Sequence, residues 1–308
     1  EDWQLVLFRE RGDFHVREIQ PLYEENEVIC TCTQTTCGKI MQVIRENCTS
    51  LEAVAKRTSA TQVCGGCTPL VRELLGQSSW TAARVVETIP RNEDVRSFRL
   101  RPVSSSCRSW RPGQHLVLQA RIDNRWMQRA YTLSCAPGGG IYEITVKKEP
   151  QGVFSRWLFD RMPPDSMLRV SEPGGEYCLP EEQSGDVVCL VGGIGVTPAL
   201  AMARTLAAQP RPFRLHVHYS ASEEKDLACL DELLALQREN PRISVETRVT
   251  RKQGRFGLDQ IRELAGRFPG ALYFLCGSPP YMEAVSAHLR ECGVPDERVR
   301  IEIFTVAG

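Results

Sequence analysis

The chain has 308 residues, 42% hydrophobic and 25% charged, too many for one core at roughly 100–200 residues per domain and apolar enough to fill two or three, which excludes a disordered polypeptide. Thirty-eight Lys and Arg balance thirty-eight Asp and Glu, which excludes an overall field that would recruit nucleic acid or an anionic membrane surface. The longest apolar stretch, around Val187 to Ala203, is broken by Gly192, Gly193, Gly195 and Pro198, so no membrane insertion is expected.

Residues 1–27 contain a short alternating segment around Asp13 to Ile19 that reads as a hairpin without recognisable chemistry. The chain starts at Glu1 with no methionine and no basic-then-apolar leader, so a processed, trimmed or longer parent chain is expected, without a secretory signal. This segment is where a longer chain or a complex would join. From 28 to 76 the pair Cys30-Thr31-Cys32 precedes helical patterns at Lys39–Glu46 and Leu51–Lys56, then Cys64-Gly65-Gly66-Cys67 and a third helix at Pro69–Leu75. A helical module of about 50 residues needs a metal or disulfides to be stable. The thirteen cysteines are odd in number, and Cys189 and Cys276 sit in apolar strand-like runs as small core residues. The economical reading is a reducing, cytoplasmic compartment and a metal centre. Gln77-Ser78-Ser79 reads as a linker.

Residues 80–181 change to short alternating strands at Ala83–Thr88, Arg96–Arg101, His115–Ala120, Arg129–Ser134 and Tyr142–Lys147, with one helix at Val153–Asp160. Regular short strands separated by turn residues predict an antiparallel β-barrel. Residues 185–308 alternate apolar strands (Val187–Val191, Leu215–Tyr219, Ile243–Val249, Leu272–Cys276, Val299–Ile303) with helices, the pattern of an α/β doubly wound parallel sheet that binds a nucleotide. The chain is thus read as multidomain.

Three segments carry candidate chemistry. After the first parallel strand, Val191-Gly192-Gly193-Ile194-Gly195-Val196-Thr197-Pro198 opens a helix at Ala199–Ala208. Its glycines let backbone approach a pyrophosphate, and the helix N-terminus offers free N–H groups; a plain tight turn explains a lone glycine cluster equally well. No acid closes the second strand, where His218-Tyr219-Ser220 stands instead. On a barrel strand, Arg129-Ala130-Tyr131-Thr132-Leu133-Ser134 joins a phosphate-binding cation, an aromatic face and hydroxyl groups, a set suited to flavin. Gly152-Val153-Phe154-Ser155 opens the barrel's helix and offers a second N-terminus to phosphate.

With Cys276-Gly277-Ser278-Pro279-Pro280 and Glu302-Ile303-Phe304, these motifs resemble, in order, those of the ferredoxin-NADP reductase superfamily over about Trp80 to Ala307. The resemblance implies FAD, with Arg129 on its phosphate, Tyr131 on the ring face, Thr132 at a hydrogen bond near flavin N5, Ser134 in the same motif, and Gly152, Val153 and Ser155 at the pyrophosphate. It implies NADH or NADPH held by Gly193, Gly195, Thr197 and Pro198. Thr132, Cys276, Glu302 and Phe304 are thereby the residues nearest the chemistry, with Gly277 beside Cys276 where nicotinamide meets flavin. Relatives often stack a terminal aromatic on the flavin, whereas this chain continues to Gly308, leaving the stacking role of Phe304 open.

The four thiols Cys30, Cys32, Cys64 and Cys67 suit either a tetrahedral zinc ion or an iron-sulfur cluster, and spacing does not choose between them. Over about Ile29 to Leu75 the module resembles the bacterioferritin-associated ferredoxin domain, a small helical 2Fe-2S fold, which implies a 2Fe-2S cluster on these four residues. Cys37 is an extra thiol, a bystander or an alternative ligand, where that family has a helix-capping hydroxyl. Arg96, Arg99, Arg101, Arg108, Arg111, Arg121, Arg125 and Arg129 give the barrel a basic sequence that reads as a solvated strand face or a docking surface for an acidic partner. His115 and Tyr281 with Met282 are expected to pack.

The resemblance implies an NAD(P)H-dependent flavoprotein reductase that passes electrons through FAD and the cluster to a one-electron acceptor protein such as an oxygenase, haem protein or ferredoxin. The rivals are a non-enzymatic flavin and iron-sulfur redox sensor, and a flavin reductase with structural zinc. In Ser220-Ala221-Ser222-Glu223-Glu224-Lys225 the serines and lysine suit a 2′-phosphate while two carboxylates repel it, which favours NADH.

Overall fold

The structure is a computed structural model that describes residues 23–77, 80–103, 106–123 and 125–303. The expected hairpin around Asp13 to Ile19, most of the linker and Phe304 lie outside the described residues. Two compact units emerge, one formed by residues up to 61 with 67–77 and the other by 62–66 with the chain from 80 onward.

The smaller unit has a short antiparallel pair, β1 (Val28–Cys30) and β2 (Thr35–Thr36), followed by α1 (Cys37–Arg45), α2 (Leu51–Thr58) and α3 (Thr68–Leu74). Ser50 caps α2 by accepting from the Ala53 N–H, and Thr36 caps α1 by accepting from the Lys39 N–H, so these two helices start at a hydroxyl where the sequence turns apolar, while α3 starts at Cys67 with proline in its first turn. Ile40, Val54, Leu70 and Val71 bury their side chains in one core. Cys37, the extra thiol, is fully buried in that core, and the hydroxyl that caps α1 is its neighbour Thr36.

The larger unit begins with a six-stranded antiparallel sheet of order β6-β5-β8-β3-β4-β7, made of β3 (Thr81–Pro90), β4 (Val95–Pro102), β5 (His115–Ile122), β6 (Arg125–Thr132), β7 (Tyr142–Lys147) and β8 (Met167–Val170). Past the end of β6, Leu133 bridges Ile144 of β7, and Ser134 N–H donates to the Glu143 carbonyl. These contacts bring the outer strands together and close the sheet into a barrel around Phe98, Leu100, Leu116 and Ile144. The helix α4 (Val153–Arg161) lies between β7 and β8. Strand β8 was not anticipated. Four residues between Pro163-Pro164 and Pro173 show too little alternation to register, yet β8 joins β3 to β5.

A five-stranded parallel sheet follows, order β11-β10-β9-β12-β13, with β9 (Val187–Gly192), β10 (Leu215–Ala221), β11 (Ile243–Val249), β12 (Leu272–Gly277) and β13 (Val299–Ile303). Its helices are α5 (Thr197–Ala208), α6 (Leu230–Glu239), the short α7 (Thr250–Gln253), α8 (Leu258–Arg267) and α9 (Pro279–Glu291). Central strands read as unbroken apolar runs because both faces are covered; every residue of β9 from Val187 to Val191 is buried. The chain moves outward from β9 to β11 and then crosses to β12, so the crevice at the C-terminal ends of β9 and β12 is the switch point where nucleotides bind such sheets. The architecture is therefore three-domain: a small helical domain, an antiparallel barrel and a doubly wound sheet. Among the described residues no helix is long and apolar enough to cross a membrane.

Candidate functional site

A cleft of about 770 Å³, counting its open mouth, is lined from the barrel by Arg129, Tyr131, Thr132, Gly152 and Ser155 and from the nucleotide half by Ile194 and Thr197. Strand pairing explains the first group. Tyr131 opposes Leu116 and Thr132 opposes His115 across β5 and β6, so the motif rides on a strand held in register along its whole length. Thr132 is buried, the Tyr131 ring lies 6.1 Å from that of Phe154, and burial pushes the Tyr131 hydroxyl far above its ordinary pKa. Burial lowers the pKa of the Arg129 guanidinium; a cation in so poorly solvated a position favours an anion beside it.

Gly152 precedes α4, and no side chain caps that helix. A Cβ on Gly152 would lie 2.6 Å from Ser155 Oγ and 2.8 Å from Glu149 Cβ, so only glycine leaves these N–H groups open to the cleft. Ser155 Oγ accepts from Glu149 N–H at 3.1 Å and donates to the Gly152 carbonyl, which ties the turn together. Val153 is exposed at the mouth. Ser134 behaves differently: it is fully buried, and its hydroxyl bonds Glu143 and Thr145 instead of lining the cleft. The opposite wall, Thr145 to Lys147 of β7, carries no motif and escaped sequence reading; its signal is the alternation that turns Thr145 and Lys147 to one face.

On the nucleotide side, β9 passes into a 3₁₀ turn, Gly193–Val196, and then α5 with Pro198 in its first turn and no side-chain cap. Gly193 has φ 54°, a left-handed conformation glycine adopts without strain. A Cβ on Gly195 would lie 2.4 Å from the Cys276 carbonyl oxygen and 2.9 Å from Gly277 N, so the loop presses backbone to backbone against the end of β12. Gly277 is constrained less severely: a Cβ there would meet the Tyr281 ring at 2.9 Å and the Gly192 backbone N at 3.3 Å. Thr197 is buried and donates to the Ile194 carbonyl. The uncapped N–H groups of α4 and α5 fit the two phosphate-bearing cofactors implied by the sequence.

Cys276 is fully buried, and burial with nearby Glu302 pushes its thiol well above the ordinary range. Glu302 pairs with Cys276 in the β12–β13 register, and burial raises its carboxyl to about 7. His115 is buried and packed against Gly175, its imidazole lowered to about 4 by burial.

The second parallel strand runs to Ala221, two residues beyond the expected Tyr219. His218, Tyr219 and Ser220 are therefore core, and an acid does follow the strand: Glu223 pairs with Lys225 at 3.1 Å and with Arg251. Glu224 pairs with Lys252 at 2.7 Å. Arg251 and Lys252 belong to α7 and reach this loop only through the fold.

In the smaller unit the Cys67 thiol bonds Cys30, and this bond, reinforced by Thr33 and the Thr61 backbone, lowers Cys30 to about 5 against the opposing effect of burial. Cys67 Sγ also accepts from Thr61 N–H at 3.2 Å. Thiol sulfurs surrounded by N–H donors suit thiolate ligands of a metal. Cys32 is half-buried, and Cys64 Sγ accepts from Gly66 N–H at 3.4 Å in the segment grouped with the larger unit. No convergent set of three or more metal-ligating side chains is formed among the described residues. The structure brings Cys30 and Cys67 together.

Three family models match successive parts of the chain: a BFD-like 2Fe-2S binding domain over residues 28–77, an oxidoreductase FAD-binding domain over 82–178 and an oxidoreductase NAD-binding domain over 189–287. A flavohemoprotein of Bordetella pertussis is 30% identical over 252 residues, covering 76% of this chain and 62% of the relative; one of Pseudomonas aeruginosa is 31% identical over 235 residues, 72% of this chain and 58% of the relative. The chain thus spans about three fifths of the curated relatives it matches. Among solved structures, the FAD/NAD binding domain of a nitric oxide dioxygenase from Vibrio cholerae superposes with TM-score 0.64 at 23% identity, over 73% of this chain and 98% of that one. The ferredoxin reductase of carbazole 1,9a-dioxygenase superposes with TM-score 0.61 at 23% identity, over 74% of this chain and 70% of that one. At these identities the two structures speak to fold.

Two outcomes test the site. Gly195→Ala is expected to abolish nicotinamide nucleotide binding while FAD content stays at the wild-type level; unchanged nucleotide affinity by calorimetry contradicts the backbone contact. Glu302 bears a proton in the folded protein up to about pH 7 that the unfolded chain loses near pH 4.3, so its contribution to stability falls as pH rises through that window. Glu302→Gln is therefore expected to gain about 2 kcal/mol over wild type between pH 5 and pH 8, and a pH-independent difference in denaturant midpoints rules this out.

Proposed function

The chain belongs to the ferredoxin-NADP reductase superfamily and carries a BFD-like 2Fe-2S domain ahead of its reductase domains, and from that premise we propose that it passes electrons from NADH through FAD and a 2Fe-2S cluster to a one-electron acceptor protein. The FAD- and NAD-binding domains make it an NAD(P)H-dependent flavoprotein reductase. The observation that carries the finer reading is the shared cleft, in which the flavin motif of β6, the open start of α4 and the glycine turn before α5 face one space.

When bound, FAD supplies a centre that takes two electrons as hydride and gives them up singly, which the cluster can carry onward. The chain's own work is holding and excluding. Arg129 and the N–H groups at Gly152 and Val153 hold phosphate charge, Tyr131 covers the ring, and Thr132 offers its hydroxyl near the reacting nitrogen. Gly193, Gly195 and Thr197 hold the nucleotide's pyrophosphate at the start of α5. The buried thiol of Cys276 and the carboxyl of Glu302, which burial holds protonated until the pH rises to about 7, keep this end of the sheet poorly solvated and low in charge, conditions that strengthen electrostatic contacts within a site. Phe304 remains the proposed cover on the other side. Cys30, Cys32, Cys64 and Cys67 are the proposed cluster ligands.

NADH is favoured because Glu223 follows β10 at the position where an acid accepts ribose hydroxyls and repels a 2′-phosphate. The acceptor is an oxygenase, a haem protein or a ferredoxin; the relatives' name, flavohemoprotein, and a solved reductase of a dioxygenase support that class. Thirteen cysteines, several of them buried in the core as small apolar side chains, suit a reducing, cytoplasmic setting.

Anaerobic NADH is expected to bleach both flavin and cluster absorbance, followed by rapid multiple-turnover reduction of ferricyanide or a cytochrome. Unbleached protein refutes the pathway, bleaching without turnover favours a redox sensor, and zinc in place of iron and sulfide refutes the cluster as outlet. Glu223→Gln leaves Arg251 and Lys225 facing a 2′-phosphate, so the kcat/KM ratio of NADH to NADPH is expected to fall about 10- to 100-fold, the worth of one charged hydrogen bond; an unmoved ratio refutes the assignment of Glu223.

A further inference from the structure

The barrel and the doubly wound sheet meet across a cluster of buried charge that no motif announces. Glu143 of β7 is 2% exposed. One of its oxygens accepts from Arg204 Nη1 at 2.6 Å and the other from Arg99 Nε at 2.9 Å, while Arg91 approaches at 3.4 Å. Arg204 lies on α5. Its Nη1 also donates to the Ser134 carbonyl at 2.9 Å, and its Nε donates to Glu232 of α6 at 2.5 Å. Arg91 reciprocates from the barrel: Nη1 donates to Glu232 at 2.7 Å and Nε to Ser97 at 2.8 Å. Beside it, Asn92 donates to the Lys225 carbonyl at 2.8 Å.

This cluster connects two walls of one cleft. Ser134 stands two residues after Thr132, and its hydroxyl accepts from Thr145, which lines the cleft. Arg204 stands two helical turns, about 10 Å, after Thr197, which lines the cleft from the other side. A rigid helix therefore carries the nucleotide loop at one end and grips the flavin-binding strand further along. Apolar packing can slide; a guanidinium bonded to a carbonyl and two carboxylates has fixed geometry.

We propose that Arg204 is a positioning residue, holding α5 against Ser134 and Glu143 so that the nucleotide loop faces the flavin-binding strand at the separation hydride transfer requires. This rests on the reductase function proposed above. It accounts for a buried ionic cluster at a boundary where an apolar one would serve stability as well or better.

The test uses the purified, FAD-loaded full chain and its Arg204→Met and Arg204→Lys variants. Stopped-flow reduction by NADH should show the limiting hydride-transfer rate of Arg204→Met lowered about 10- to 100-fold, the effect expected of a small misplacement of reactants, with the NADH dissociation constant and FAD content near wild type. Arg204→Lys should recover part of the rate. Hydrogen exchange, read without nucleotide, should show lost protection at the amides of residues 132–135 in Arg204→Met. A folded Arg204→Met with wild-type transfer rate overturns the proposal, as does a fall matched by FAD loss or unchanged exchange at residues 132–135. If Arg204→Met does not fold, Glu232→Ala, which removes one of the arginine's anchors, must slow transfer for the proposal to stand. Wild-type protein that NADH does not reduce refutes the reductase function instead, and the exchange measurement still reads whether Arg204 holds the strand.

Discussion

A single carboxylate organises the reductase half of this molecule. Burial alone would drive the Glu143 carboxyl upward, and Arg204, Arg99 and Arg91 outweigh that and keep it below its ordinary value. Each partner is in turn committed: Arg204 to the Ser134 carbonyl and Glu232, Arg91 to Ser97 and Glu232, Arg99 to Glu87. A buried charge left without a partner costs about 3–5 kcal/mol, so Glu143 and its two largely buried partners, Arg204 and Arg91, hold one another in place, with the more exposed Arg99 at the margin. The turn between β3 and β4, the start of β7, and the helices α5 and α6 are consequently bound as one body.

Much of the fold could be read before any coordinates because its strongest elements are periodic or invariant in chemistry. The buried runs of β9 and β12, the glycines before α5 and the Arg-x-Tyr-Thr strand each combine residue type with position, and each occurs where expected. What escaped was set by distance along the chain or by brevity. Arg204 and Glu143 are 61 positions apart and resemble ordinary surface charge in sequence. Strand β8 is four residues between prolines. Glu223 was read as a carboxylate beside the strand and not as the acid that closes it, because β10 extends two residues past the point where its alternation fades, and Arg251 reaches it from another element.

Ser134 shows a subtler failure. Its place in the flavin motif suggested a hydroxyl for the ligand, but the strand pairing ends at Thr132, and beyond it the chain turns its polar groups toward β7 and Arg204. Membership of a motif gave its neighbourhood and not its direction. Cys37 is comparable: a thiol beside four candidate ligands, it fills the core, where burial and then Glu27 and Glu25 push it up to about 11.

The tight seat of Gly195 on the Cys276 carbonyl arises from contacts within the protein, as does the Tyr281 ring lying over Gly277. The turn before α5, proposed above to hold the pyrophosphate, is therefore shaped by the protein's own packing. A preformed cradle loses little conformational entropy on association, and encounter need not wait for a loop to rearrange. For a flavoprotein reductase that must bind and release a nucleotide on every turnover, a turn so shaped would let affinity stay modest without slowing capture.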